Sequence, residues 1–381
     1  MIDVLLYITF ILFSFGQLGR ISFFGQQVNI YIYEIPLVLL TFFLLIRSKL
    51  EPIKNFYKTF PAVYWFFFWL LLTFLVGVSH FSLFQNSVGI LYFLRLLSYF
   101  LFFFYLLYEA KKNKKIIVTL TRCVEIFIVL TIFFSLIQYF LYPNLRNLQY
   151  LGWDPHLFRL FGLFFDTSLA AAVYGLIFLF LILKWPIALF IFIYFVFILL
   201  TYSRMVYLVF STVFILILLS KKYFKPIGIF ILLMIVGLVL IPKPGGAGVN
   251  LLRYFSIQSR FSDYQTALQI ISRNPLVGYG YDRIRYVKEA LGLLAQNEAD
   301  ISHAGAAFSS SYLIILVSSG LIGLTLFLAS LVQLGIKNKT WGFFILFIAL
   351  LSLSDNIVLQ PFVLFLLFSF LILTTRFDRS L

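Results

Sequence analysis

IIVTLTRCVEIFIVLTIFFSLIQYFLY occupies residues 116–142, directly after the basic run Lys111-Lys112-Asn113-Lys114-Lys115. The stretch exceeds the roughly 20 residues that an α-helix needs to cross the hydrocarbon core of a bilayer. Its only charges are Arg122 and Glu125. A helix this apolar on every side belongs in lipid or at the centre of a bundle.

The same pattern recurs in both directions. Apolar runs are expected to form about twelve membrane spans, at roughly 2–16, 30–47, 61–79, 88–108, 116–142, 166–184, 186–202, 204–220, 225–242, 306–334, 341–357 and 358–374. Composition agrees: 62% of the residues are hydrophobic, 11% are charged, and 50 are Phe. A soluble domain carries about 25% charged residues, so a soluble globular fold is excluded. The fold class read from this pattern is all-α, a polytopic membrane helix bundle.

The net charge of +15 does not point to nucleic acid, because Lys and Arg sit in short clusters between apolar runs. Such clusters mark the cytoplasmic side of membrane proteins. With the N-terminus inside, the positive loops fall on one side: Arg47 to Lys58, Lys111 to Lys115, Lys184, Lys221 to Lys225, Lys337 with Lys339, and Arg376 with Arg379. Residues 80–87 and 355–358, on the opposite side, contain no Lys or Arg. Both termini are therefore expected in the cytoplasm. The first positive side chain is Arg20, so no basic region precedes the first apolar run and no cleaved leader is expected.

One outer loop, residues 243–305, separates an N-terminal block of nine spans (1–242) from a C-terminal block of three (306–381). Within it, Ile257, Phe261, Tyr264, Leu268 and Ile271 alternate at helical spacing. Arg253 and Arg260 flank this stripe and Arg273 points away from it, before Asn274-Pro275 stops the helix. A shorter helix is expected over 281–294. An amphipathic hairpin resting on the bilayer is the plain reading of the loop.

Phosphate-binding glycine loops, HExxH, paired CxxC and GxSxG are all missing. Cys123 is single, and His80, His156 and His303 are too far apart in sequence to suggest a metal site. No cofactor or metal is expected. Ionisable groups within spans are costly and tend to be functional. Arg95 and Glu125 are such groups, either an ion pair with each other or functional. Arg122 can snorkel to the boundary. Arg204 opens a span after Thr201-Tyr202-Ser203, as an interfacial anchor or as a ligand. With Arg260 and His303 it reaches the outer boundary. Guanidinium forks bind phosphate oxygens, and a neutral His accepts a proton from a hydroxyl. An energised donor outside the cytoplasm has to arrive on lipid, which points to glycosyl transfer from a polyprenyl pyrophosphate.

These residues resemble a known family. Arg260-Phe-Ser-Asp-Tyr-Gln-Thr-Ala-Leu268, followed by Asn274-Pro275-Leu276-Val277-Gly278-Tyr279-Gly280, is similar to the outer-loop signature of O-antigen ligases and polymerases. Ser311-Tyr312-Leu313 with Gly320-Leu321-Ile322-Gly323 resembles the family's next helix, and Ser203-Arg204 its SR pair. The resemblance implies metal-independent, inverting transfer from an undecaprenyl-pyrophosphate-linked glycan at the outer face of the inner membrane. It assigns Arg204 and Arg260 to the pyrophosphate. Where family members commonly carry His-Asn, this chain has Ser309-Ser310, with His303 six residues upstream of Ser309.

The expected function is polymerisation of lipid-linked repeat units. The alternatives are ligation to lipid A-core or, in another class, a flippase or transporter. Expected partners are the lipid-linked donor, the glycan acceptor, membrane lipids and a chain-length regulator protein. Reporter fusions are expected to place residues 111–115 inside and residue 280 outside. A cytoplasmic residue 280 would overturn this orientation.

Overall fold

The computed structural model describes residues 1–146, 148, 156–242, 249–250, 255–294 and 307–375. His303, Arg253, Arg376 and Arg379 lie outside the described residues. The described chain is nearly all helical, as expected. Fifteen helices follow one another: α1 (Ile2–Phe13), α2 (Glu34–Ser48), α3 (Glu51–Thr59), α4 (Pro61–Val76), α5 (Leu83–Lys112), α6 (Lys114–Leu141), α7 (Thr167–Lys184), α8 (Ala188–Leu200), α9 (Arg204–Ser220), α10 (Lys225–Leu240), α11 (Phe255–Ile271), α12 (Ile284–Ala290), α13 (Ser311–Ile336), α14 (Lys339–Leu351) and α15 (Pro361–Thr374). Each of the twelve apolar runs coincides with one of them.

The count of about twelve full spans is not confirmed. Only α5, α6, α7 and α13 are long and apolar enough to cross a bilayer by themselves. A fifth crossing is possible if α3 and α4, bent by 107°, act as one broken span. Six apolar helices (α1, α8, α9, α10, α14 and α15) have 10–17 residues. At 1.5 Å per residue these fall short of the roughly 30 Å hydrocarbon thickness. Apolar content overestimated their length because capping and turn residues end the helices early.

Those ends have identifiable causes. Asn113 is extended (φ −132°) between two Lys pairs; it stops α5, and its side chain accepts from the Lys115 amide to start α6. Ser82 and Gln85 form a reciprocal capping box at the start of α5. Asp166 caps α7 and Asn338 caps α14, while Pro61 and Pro361 sit at the first positions of α4 and α15. The core is built around α15, whose residues Phe362 to Leu373 are all buried. Phe368 stacks on Phe103 at 4.6 Å and Phe370 on Phe180 at 4.2 Å, which locks α15 to α5 and α7. On α10, by contrast, Ile229, Leu232, Leu233, Val236 and Val239 are exposed, as lipid-facing side chains are.

One hairpin departs from the all-α expectation. Residues Arg20–Phe23 (β1) pair antiparallel with Val28–Tyr31 (β2), in the register Arg20 to Tyr31 and Phe23 to Val28. It caps the bundle end that carries the loop between α14 and α15. Lys111, Lys112, Lys337 and Lys339 line a groove at the opposite end.

The hairpin is held by a charged hub. The Glu34 carboxylate accepts from Arg95 Nε at 2.6 Å, from the Tyr99 hydroxyl at 2.6 Å and from the Tyr31 amide at 2.9 Å. Arg95 Nη1 donates to the Asn29 carbonyl at 3.1 Å, and its guanidinium lies over the Tyr31 ring. Arg95 is thus paired with Glu34 and not with Glu125. The face of α5 that carries Arg95 packs on α2 and the hairpin, whereas Glu125 is exposed on α6 beside Lys184 and Trp185.

Glu34 is 7% exposed, and removing one partner of such a buried pair typically costs about 3 kcal/mol or more. Glu34→Ala is expected to lower the melting temperature in detergent markedly. Glu125→Ala should leave it almost unchanged, and equal effects would contradict this account of the hub.

Candidate functional site

The glycine-rich segment 274–280 is legible as structure. Helix α13 is broken at Gly320, whose φ of 68° and ψ of −172° no helix accommodates. The break frees three carbonyls, and each finds a donor from another part of the chain. The Tyr279 amide bonds the Val317 carbonyl at 3.0 Å, the Gly280 amide bonds that of Ser318 at 2.8 Å, and Trp69 Nε1 bonds that of Ser319 at 2.8 Å. In return the Leu321 amide donates to the Pro275 carbonyl at 2.9 Å. The two backbones approach so closely that a Cβ on Gly320 would stand 2.1 Å from the Leu276 oxygen, and one on Gly278 2.6 Å from the Val317 oxygen. Glycine is required at both positions for space, and its left-handed φ agrees.

Beyond the clamp, Arg283 is fully buried. Its guanidinium lies between the rings of Phe74 and Phe81, at 4.0 and 4.7 Å, and bonds the Phe74 carbonyl and the Asn86 side chain. Burial lowers its pKa to about 10. Residues 281–282 are thereby pinned on both sides and form part of the wall of a cavity of about 360 Å³. Arg20 and Tyr31 of the hairpin, Tyr92 and Arg95 of α5, Asp166 before α7, and Gln360 before α15 line the rest. Burial holds the Arg20 guanidinium below its ordinary pKa and raises the Asp282 carboxyl to about 8. Nη2 of Arg95 is buried without a hydrogen-bond partner. The cavity can accept a polar, anionic ligand from the same bundle end that carries α11.

Of the expected site residues, Arg95 lines this cavity, whereas Arg204, Arg260 and Glu125 do not. Nη2 of Arg260, on α11, contacts both carboxylate oxygens of Asp355, at 2.9 and 3.0 Å. Asp355 directly precedes Asn356, which lines the cavity. Arg204 opens α9 as expected. The buried Arg159 bonds the carbonyls of Thr201 and Tyr202 at 2.9 and 3.4 Å, which fixes that helix start from the loop before α7. His156 lies beside Arg159, His80 and Arg122 are exposed, and Arg273 is exposed as anticipated. On α11 four residues of the predicted stripe, Ile257, Phe261, Tyr264 and Leu268, are exposed, whereas the fifth, Ile271, packs inward with Ala267 and Ile270. The shorter helix is confined to α12. Ser309 donates its amide to Asp263 and Ser310 its hydroxyl to the Ser352 carbonyl, so both tie the entry of α13 to its neighbours. Among the described residues no cluster of three or more His, Cys, Asp or Glu could hold a metal ion.

Sequence reasoning missed Arg20, Asp282 and Arg283. A hairpin signal was present in the alternation around Gly25, but the apolar run beginning at residue 30 absorbed it.

Residues 187–328 match the family model described as O-antigen ligase. The chain carries an O-antigen ligase-family domain. The match over this segment is consistent with the O-antigen ligase and polymerase superfamily. No curated protein matches the chain. The domain runs from α8 into α13 and contains Arg204, Arg260, the glycine clamp and Asp282. It supplies one wall of the cavity, while Arg20, Arg95 and Asp166 come from helices and loops outside it.

Gly320→Ala is expected to cost roughly 1–3 kcal/mol in backbone strain alone, with the clash at Leu276 added. Limited proteolysis should then cut within residues 274–283, a segment protected in the wild type. Unchanged protection would argue against the clamp.

Proposed function

We propose that this protein polymerises a surface polysaccharide. It would transfer glycan from an undecaprenyl-pyrophosphate carrier to a lipid-linked repeat-unit acceptor, at the outer face of the inner membrane, by an inverting and metal-independent displacement. The observation that carries the reading is the arginine-lined cavity at the bundle end opposite the lysine groove, walled on one side by the O-antigen ligase-family domain.

Arg260 and Arg204 are assigned to the pyrophosphate. Asp355 engages only Nη2 of Arg260, so Nε and Nη1 remain free among the described residues to grip phosphate oxygens. A donor at this site would share Arg260 with Asp355 or displace it. Ligation to lipid A-core is the second reading, favoured by the description of the matching family. Ser309-Ser310, in place of the commonly found His-Asn, supports the polymerase instead.

Hydrogen bonds to charged groups contribute about 1.5–3 kcal/mol each, or one to two orders of magnitude in rate. In liposomes supplied with lipid-linked repeat units and a chelator, the wild type should build a glycan ladder. Arg260→Ala and Arg204→Ala should abolish it at matched abundance, Lys at either position should restore it in part, and Arg273→Ala should be mild. Equal ladders from Arg260→Ala and wild type would refute the donor site. Glycan appearing only on added lipid A-core would replace polymerase by ligase.

A further inference from the structure

The glycine clamp and Arg283 hold a short piece of chain rigid from both sides, and the side chain placed between them is Asp282. Its backbone is left-handed, with φ of 59°, a conformation that Asp tolerates but that persists only where the surroundings enforce it. The enforced turn directs the segment towards the cavity shared by the hairpin, α5 and the start of α15. Asp282 is half-buried and lines the cavity. Among the described residues it has no hydrogen bond and no ion pair. Other acidic groups among the described residues are engaged: Glu34 by Arg95, Glu109 by Ser48, Asp355 by Arg260, and Asp166 by the Leu169 amide. A carboxylate left without a partner in a polar cavity is costly and calls for an occupant.

We propose that Asp282 is the proton acceptor of the glycosyl transfer, receiving the proton of the attacking acceptor hydroxyl inside this cavity. The inference rests on the glycosyl-transfer reading above. The acceptor hydroxyl oxygen forms a bond to the anomeric carbon of the donor sugar. The bond from that carbon to the pyrophosphate oxygen breaks, its electron pair leaves with the polyprenyl pyrophosphate, and the hydroxyl proton passes to Asp282 and then to water. Nη2 of Arg95, unbonded and buried in the same cavity, is placed to hold an oxygen of the sugar or the leaving group. The groups that face Asp282 are Arg95 and Tyr92 from α5, Tyr281 beside it, and Arg285 and Tyr286 from α12, with Arg20 and Asp166 on other walls of the cavity. The two nearer arginines favour the charged carboxylate, and burial outweighs them, raising the pKa to about 8. A base titrating near neutral pH removes a hydroxyl proton more effectively than an ordinary carboxylate.

The test is polymerisation by the full-length protein in liposomes with lipid-linked repeat units, between pH 5.5 and 9.5. A positioned general base contributes roughly 100-fold or more. Asp282→Asn should therefore lower kcat by at least about 100-fold, leave the KM for donor within about threefold, and abolish the rise in rate that the wild type shows with an apparent pKa near 8. Asp282→Glu should restore part of the rate. Melting temperatures separate this role from a structural one. Because folding raises the carboxyl pKa above its unfolded value, its contribution to stability is full below pH 4 and is lost as pH rises through about 8. Asp282→Asn should thus melt no lower than wild type at pH 7 and higher at pH 9. Activity lost together with a lowered melting temperature would make Asp282 a structural counter-charge and overturn the proposal. So would an Asp282→Asn enzyme within threefold of wild type, or a pH profile flattened by His303→Ala and not by Asp282→Asn. A wild type that builds no polymer from any lipid-linked donor would overturn both this proposal and the reading beneath it.

Discussion

Backbone carbonyls released inside an apolar bundle have to be satisfied by the protein itself, because lipid offers no hydrogen bonds. Gly320 releases three of them by breaking α13, and the chain satisfies all three from two directions. Trp69 of α4 reaches one, and the amides of Tyr279 and Gly280 reach the others. The break is therefore also a docking site. It lays the turn-forming residues 274–280 against a helix, and this sets the position of everything up to Arg283. Without the break, Tyr279 and Gly280 would lack their acceptors and residues 281–282 would have no fixed place beside the hairpin.

Charged groups complete the same end of the bundle by pairing across long sequence distances. Glu34 and Arg95 join the hairpin to α2 and α5, Arg260 and Asp355 join α11 to the turn between α14 and α15, and Arg159 anchors the start of α9. Each pair costs desolvation, which is offset only where geometry is good and further hydrogen bonds are made. The Glu34 carboxylate meets that condition with three donors. Asp282 does not, and this contrast with Glu34 singles it out. The cavity it lines is composite: the matched family domain supplies one wall, and the N-terminal helices and hairpin supply the other. On this geometry the N-terminal third of the chain contributes to the cavity wall.

The helical regions were legible because apolar periodicity and flanking charge act locally. Asn113 between its lysines marks a helix boundary in sequence as clearly as in space. Arg260 was legible as a site candidate from its place beside an apolar stripe, which faces outward except at Ile271. Helix length was not legible, since Phe and Leu continue past the residues at which Ser14, Thr201 or Ser352 end a helix. The hairpin was hidden for a related reason: Ile30 and Tyr31 are as apolar as the helix that follows them.

By itself, then, the sequence determined that this chain lies in a membrane, which segments are helical, where positive charge gathers, and which family its central segment resembles. Those properties follow from composition and from neighbours within a few residues. Tertiary structure alone decided that Arg95 pairs with Glu34 and not Glu125, that Arg260 meets Asp355, and that Gly320 breaks a helix to seat Gly278 and Gly280. It also decided that Asp282 is left without a partner in a cavity. The partners lie 61, 95 and about 40 residues apart in the chain, and no local pattern records which helix faces will meet once the bundle packs.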